Sequence, residues 1–285
     1  ADMNKFHLLQ FHALLQREIL EHRNMFIMAP AILAGLILLF SAWAMTRMGQ
    51  DTVSISIEYM ALLFDGLSPL EMAPMFMIPA IPFIGIFYFC AIIYLMNSLY
   101  QDRQELSILF WQSMPVSNLN TVLSKLVTIG MVAPLFYIAT MFALYVIALF
   151  WLAILGWSYD IEVAGLGYMF LAAVASLIFV YLSIVTTALW LLPTIGWVVL
   201  FSAFAKRTPI LWAIGVFILV GFLEEFIFGT QFLGSFVQSR STPTQYLILD
   251  FQDVVERLIN YDMLFGIMVG SILLAGAVYM RRFID

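Results

Sequence analysis

The sequence predicts an all-α integral membrane protein with six transmembrane helices, and three observations lead there. The first is composition: 64% of the 285 residues are hydrophobic and 11% are charged, with a mean hydropathy of +1.00. A soluble domain carries about 25% charged residues, and no soluble fold hides this much apolar surface. The second is the length of the apolar runs. Several pass the roughly 18 residues that a helix needs to cross about 30 Å of hydrocarbon. The alternation of a transmembrane barrel, in segments of about ten residues, is absent. The third is the distribution of Lys and Arg, which sorts the polar segments onto two sides.

The chain opens with Lys5–Arg23, where Leu8, Phe11, Leu15 and Ile19 recur at helical spacing and Gln10, Arg17 and Glu21 lie elsewhere on the wheel. That pattern predicts an amphipathic helix over 5–23 lying in the membrane interface. The stretch lacks the basic-then-apolar pattern of a cleaved signal peptide. The first span follows at about 25–44 and ends at Arg47 and Gly49-Gln50-Asp51. A loop over 51–71 carries Glu58, Asp65 and Glu71. The second span, about 74–100, contains Pro79 and Pro82, which predict a kink in its outer half.

A polar hairpin, Leu99–Lys125, then separates the second and third spans. Inside it stand Asp102, Arg103 and Glu105, an amphipathic run from Leu106 to Trp111, a stop at Met114-Pro115 and a new helix start at Ser117/Asn118. The third span is about 121–152, with Pro134 inside, and its length requires tilt or projection. The uncharged stretch 164–205 is about twice the minimum length. It is either two spans with a tight turn or one span broken at Leu192-Pro193. The fifth span is about 209–228 and the sixth about 263–280, closed by Arg281-Arg282. Between them Leu247–Asn260 places Leu247, Phe251, Val254/Val255 and Leu258 on one face and reads as a surface-lying amphipathic helix.

Charge decides the fourth stretch. With one broken span, Lys5, Arg17, Arg23, Arg103, Lys125, Lys206, Arg207, Arg281 and Arg282 share one side, and Arg47, Arg240 and Arg257 the other. Nine against three is a positive-inside bias. It predicts six spans, both termini in the cytoplasm and a cytoplasmic hairpin.

Motifs exclude several chemistries. There is no Gly-x4-Gly-Lys-Ser/Thr phosphate loop and no Cys/His zinc spacing. The single cysteine, Cys90, excludes an internal disulfide. His7, His12 and His22 are the only histidines. Glu18 and His22, at i, i+4, read either as a metal pair or as polar-face residues near headgroups. Met72, Met75 and Met77 read either as soft ligands or as apolar filling. Glu224-Glu225, near the end of the fifth span, read either as a functional polar site on the outer side or as solvated interface residues. Their nearest partners in this topology are Arg240 and Arg257. Catalysis by a Ser/His/Asp set has no Gly-x-Ser-x-Gly turn behind it. The span interiors hold few ionisable groups, which weakens ion-coupled transport. No enzyme activity, bound metal or nucleic-acid partner is expected of this chain.

The hairpin is longer than a minimal connection. As a helix, Leu106, Leu109 and Phe110 stand at i, i+3 and i+4, with Trp111 beside them. The exposed apolar knob fits a protein partner; its other reading is contact with headgroups. Tyr100, Asp102-Arg103, Ser107–Trp111, Ser113–Ser117 and Thr121–Lys125 resemble the coupling-helix region of type-2 ATP-binding-cassette (ABC) exporter permeases. Met114 stands where that family has Leu. Phe204–Pro209 also resembles the inner end of the fourth span in one bacterial subgroup. The resemblance implies one permease domain over 1–285 in a bacterial cytoplasmic membrane. It implies a second permease copy or a related permease as partner, and two separate ATPase subunits that hold ATP and Mg. It also implies that Arg103, Glu105, Leu106, Leu109, Phe110, Trp111 and Pro115 contact the ATPase. An amphipathic, peptide or lipid-like export substrate is expected.

Overall fold

The described residues of the computed structural model, 2–104, 117–161, 163, 165–205, 207–241 and 247–281, form helices and connections, with no strand among them. Side chains are described for all of these except residues 2–7, 61, 103, 104 and 241. The helices are α1 (Asp2–Glu21), α2 (Ala29–Arg47), α3 (Gln50–Phe64), α4 (Pro69–Met77), α5 (Ile81–Gln104), α6 (Asn118–Val127) and α7 (Ala133–Ser158). They continue with α8 (Leu166–Trp190), α9 (Leu192–Phe204), α10 (Pro209–Phe228), α11 (Phe232–Ser241), α12 (Phe251–Leu258) and α13 (Tyr261–Met280). Among the described residues, six helical stretches are long and apolar enough to span a membrane: Asn24–Arg47, Pro69–Asp102, Asn118–Ser158, Leu166–Trp190, Pro209–Phe228 and Tyr261–Met280. The chain is a multi-pass membrane protein by that measure.

Prolines set the interruptions. π-Helical turns at Asn24–Met28 and Thr128–Val132 each run into Ala-Pro, at Pro30 and Pro134. A proline lacks an N–H and crowds the carbonyl four residues back, and a widened turn absorbs the mismatch. Pro79 sits in a 3-10 turn, Ile78–Ala80, between α4 and α5. The fourth stretch breaks at Leu191 (φ −86°, ψ 7°), with Pro193 at the second position of α9. At 13 residues, or about 20 Å, α9 is too short to cross a bilayer by itself.

Several boundaries differ from the sequence reading. The stretch 51–71, expected as a loop, is largely α3, because Val53 and Ile57 bury one side at i, i+4. The second span starts earlier, at Pro69, where Ser68 and Glu71 form a reciprocal cap. The surface helix expected over 247–260 is the shorter α12, capped by Asp250 and Asp253. The third span starts at Asn118, where the Ser117 hydroxyl accepts from Asn120 N at 3.1 Å. The coupling helix expected between the second and third spans lies outside the described residues.

Two units make up the chain: residues 1–21, 89–131 and 183–285, and residues 22–88 and 132–182. In the second, Tyr137 donates to the π-turn carbonyl of Met25 at 2.9 Å and stands edge-on to Phe87. Tyr145 donates to the carbonyl of Phe76. Buried phenols need acceptors where water is absent, and both find backbone ones. In the first unit α9 and α13 pack closely. A Cβ on Gly196 would lie 2.9 Å from the carbonyl oxygen of Gly270, so only small residues permit the approach. Ser202 ties α9 to α5 by donating to Met96 O at 2.8 Å and accepting from Leu99 N and Tyr100 N, both at 3.1 Å.

Candidate functional site

The polar chemistry of the first unit gathers at the two ends of α13. At the end near Met280, four segments contribute to one buried ionic cluster. The α1 helix turns Leu14 and Glu18 inward and leaves Leu8 and Leu20 exposed. Glu18 is 1% exposed, and its carboxylate accepts from Lys125 Nζ at 2.9 Å and Tyr94 Oη at 2.7 Å. Asp102, in the last turn of α5, is the hub. Its carboxylate faces Arg281 Nη1 at 3.4 Å, Lys125 Nζ at 3.6 Å and Arg17 Nη2 at 3.6 Å. Arg17 also pairs with Glu21 at 3.2 Å. Three cations meet three carboxylates. That neutrality is what lets buried charge persist, because the desolvation cost is offset only by close opposite charge. Burial pushes the Arg281 guanidinium below the usual arginine value, and Asp102 pushes it back up.

This cluster fixes both roots of the hairpin. Asp102 precedes Glu105 by three residues, and Lys125 belongs to the helix that starts just after Ser117. Arg103 lies in the last turn of α5, with its side chain undescribed. Glu105, Leu106, Leu109, Phe110, Trp111 and Pro115 lie outside the described residues. The Glu18 carboxylate, expected beside His22, is engaged by Lys125 and Tyr94. Among the described residues no group of three or more His, Cys, Asp and Glu is arranged to hold a metal ion. Met72 and Met77 are buried side chains of α4, and Met75 is exposed.

At the other end of α13 the acidic pair serves local structure. Glu224 accepts from Thr230 Oγ1 and Leu233 N, both at 3.0 Å, and from Phe232 N. It thereby caps the first turn of α11. Glu225 accepts from Gln231 Nε2 at 3.0 Å. Neither carboxylate is paired with Arg240. Beside Glu224 an open groove of about 1020 Å³ is lined by Val220, Leu223, Phe236 and Phe265 among others.

Arg240 points into the protein instead. It is 4% exposed, its guanidinium stands 4.7 Å from the ring centres of both Trp190 and Phe236, and Nη1 donates to Trp190 O at 2.8 Å. Nη2 donates to the carbonyl of Asp262, and Trp190 Nε1 donates back to Arg240 O at 3.3 Å. Burial pushes this guanidinium below the usual value, and the nearby Asp262 charge raises it. Gly266 has no side chain because one would collide with the guanidinium. Two further contacts land on the same face of α8: Ile248 N donates to Ser183 Oγ at 2.8 Å, and Arg257 Nη1 to Thr186 Oγ1 at 3.3 Å.

Sequence reasoning missed both clusters. It assigned Asp102 and Lys125 to a solvated hairpin and Arg281 to a terminal charge. The available signal was their rarity: they bracket apolar spans in a chain with few charges, where burial demands partners. No protein-family model, curated protein or solved structure matches the chain.

Proposed function

We propose that the chain is the permease subunit of an ABC exporter, driven through the 99–125 hairpin by ATP hydrolysed on separate ATPase subunits. The observation that carries this reading is the anchoring of the hairpin. Asp102 at one root and Lys125 at the other share a buried cluster with Glu18 of α1 and Arg281 at the end of α13. A push on the hairpin therefore reaches three spanning helices and the interfacial helix together. In this proposal Leu106, Leu109, Phe110 and Trp111 form the knob, Arg103 and Glu105 its polar contacts and Pro115 its stop. Two ATPase subunits with ATP and Mg bind the hairpins of two permease copies, or of this chain and a related permease. The assembly sits in a bacterial cytoplasmic membrane with both termini inside and moves an amphipathic, peptide or lipid-like substrate. No reaction is assigned to this chain.

Helix length favours a second reading, a non-transporting module that carries ATP-driven motion past the membrane. Asn118–Ser158 holds 41 residues, or about 60 Å of helix, against about 30 Å of hydrocarbon. Co-purification and vesicle transport separate these readings from each other and from a secondary transporter. An ATPase subunit that co-purifies with the wild type and is lost with Phe110→Asp and Trp111→Asp supports the hairpin as its seat. Complex and transport unchanged in both variants overturn the coupling role. ATP-dependent substrate movement in vesicles selects the exporter over the mechanical module. Movement driven by an ion gradient without ATP selects the secondary transporter.

A further inference from the structure

We propose that Arg240 is a latch that holds the fourth span in its broken form, and that releasing it lets α8 and α9 join into one continuous helix, with only the bend that Pro193 imposes. The proposal stands independently of what the chain transports. In an unbroken helix the Trp190 carbonyl accepts from the N–H of Thr194, four residues on. Here Arg240 takes that carbonyl at 2.8 Å. Pro193, which has no N–H to give Leu189, makes the break easy to open, but not obligatory, since spanning helices accommodate proline.

The latch is built from both sides. Trp190 gives its ring face and indole N–H to Arg240 while its carbonyl receives the guanidinium. Phe236 covers the other approach, Asp262 supplies a second carbonyl and Gly266 leaves the space. A cation held by π faces and carbonyls, with no carboxylate within ion-pair distance among the described residues, is held less firmly than the paired charges at the other end of α13. Ser183, Thr186 and Trp190 lie at i, i+3 and i+7, one face of α8. Arg240, Ile248 and Arg257 hold that face at all three positions. Contacts that share one helix face are lost or kept together, which suits two states.

The test uses the full chain in detergent or nanodiscs, with spin labels at Val185→Cys and Phe204→Cys in a Cys90→Ser background. Val185 is partly exposed and Phe204 exposed. In a continuous helix the 19 intervening steps span about 28 Å. The latched chain is expected to give a shorter distance, and Arg240→Met to shift the distribution toward about 28 Å. Arg240→Lys, which keeps the charge but loses the fork, shifts it partway. If Arg240→Met does not elute as a folded species, Gly266→Ala is read instead, because its Cβ displaces the guanidinium while Arg240 is kept. A distribution unchanged from the wild type in the folded variant overturns the latch. So does a wild-type distribution already centred near about 28 Å.

Discussion

Asp102 and Arg281, 179 positions apart, meet at 3.4 Å with each side chain 4% exposed. The pair joins the last turn of α5 to the residue that follows α13. It also decides how the cluster responds to change, because Asp102 is the single acceptor shared by Arg17, Lys125 and Arg281.

Removing that acceptor takes from the buried Arg281 its carboxylate partner, while Lys125 keeps Glu18 and Arg17 keeps Glu21. Asp102→Asn is expected to destabilise the folded chain by about 3–5 kcal/mol, the usual cost of breaking one side of a buried pair. Arg281→Met costs less, since Lys125 and Arg17 still balance Asp102. The double variant is expected to be less destabilised than the sum of the two single changes. Thermal unfolding in detergent, run as a double-mutant cycle, measures this. Strict additivity would show that the two side chains do not interact.

Glu18 is the tightest link between α1 and the spans. Glu18→Ala strands Lys125 and Tyr94 and is expected to free α1, seen as faster modification of a cysteine introduced at Leu14, a buried position. Tyr94→Phe removes one hydrogen bond to a charged group and costs about 1.5–3 kcal/mol. Leu14→Cys labelling that stays slow in Glu18→Ala would place the anchoring of α1 elsewhere.

Salt separates the two kinds of ion pair around α1. Arg17–Glu21, with side chains 22% and 29% exposed, is screened as ionic strength rises from 0.1 to 1 M, where the screening length falls from about 10 Å to about 3 Å. Glu18–Lys125, 2% and 5% exposed, is not. Labelling at Leu14→Cys is therefore expected to stay slow in high salt. Rapid labelling there would show that the cluster is open to solvent.

Glu224 and Glu225 are distinguished by their bonds. Glu224→Ala removes the cap of α11 and costs about 1 kcal/mol, with faster amide exchange at Phe232 and Leu233. Glu225→Ala, which loses only a side-chain contact to Gln231, leaves those amides unchanged. Loss of transport with unchanged exchange in Glu224→Ala would instead assign the carboxylate a direct role.

The packing of α9 on α13 predicts a steric effect. A Cβ on Gly270 would lie 2.7 Å from the backbone carbon of Leu192, so Gly270→Ala is expected to cost about 1–3 kcal/mol through overpacking. Gly276→Ala, whose Cβ would meet only the end of Leu200 at 3.4 Å, is tolerated. Equal unfolding temperatures for the two variants would contradict the close approach.

The spans were legible because length and hydropathy act locally: the run 209–223 is free of charge, and the expected span 209–228 matches its helix end to end. The start at Ser117 was legible for the same reason, since an N-cap is read within four residues. The fourth span's break was legible from Pro193, to within two residues. The α3 helix was not, because Ser54, Ser56 and Glu58 dilute an apolar side on which Val53 and Ile57 are the buried residues among the described side chains. The ionic cluster was invisible for another reason. Its bonded pairs are separated by up to 179 positions, and no spacing rule connects residues that meet through tertiary packing. Arg240 was read as a candidate partner of Glu224-Glu225 because nothing in the sequence tells which carbonyl a broken helix leaves open.

The length of the Asn118–Ser158 helix has a mechanical consequence. At 41 residues, about 60 Å, it is about twice the length that crosses the hydrocarbon. Turns beyond that length must tilt or stand outside the lipid, and the buried Lys125–Glu18 pair holds the first of them against fraying.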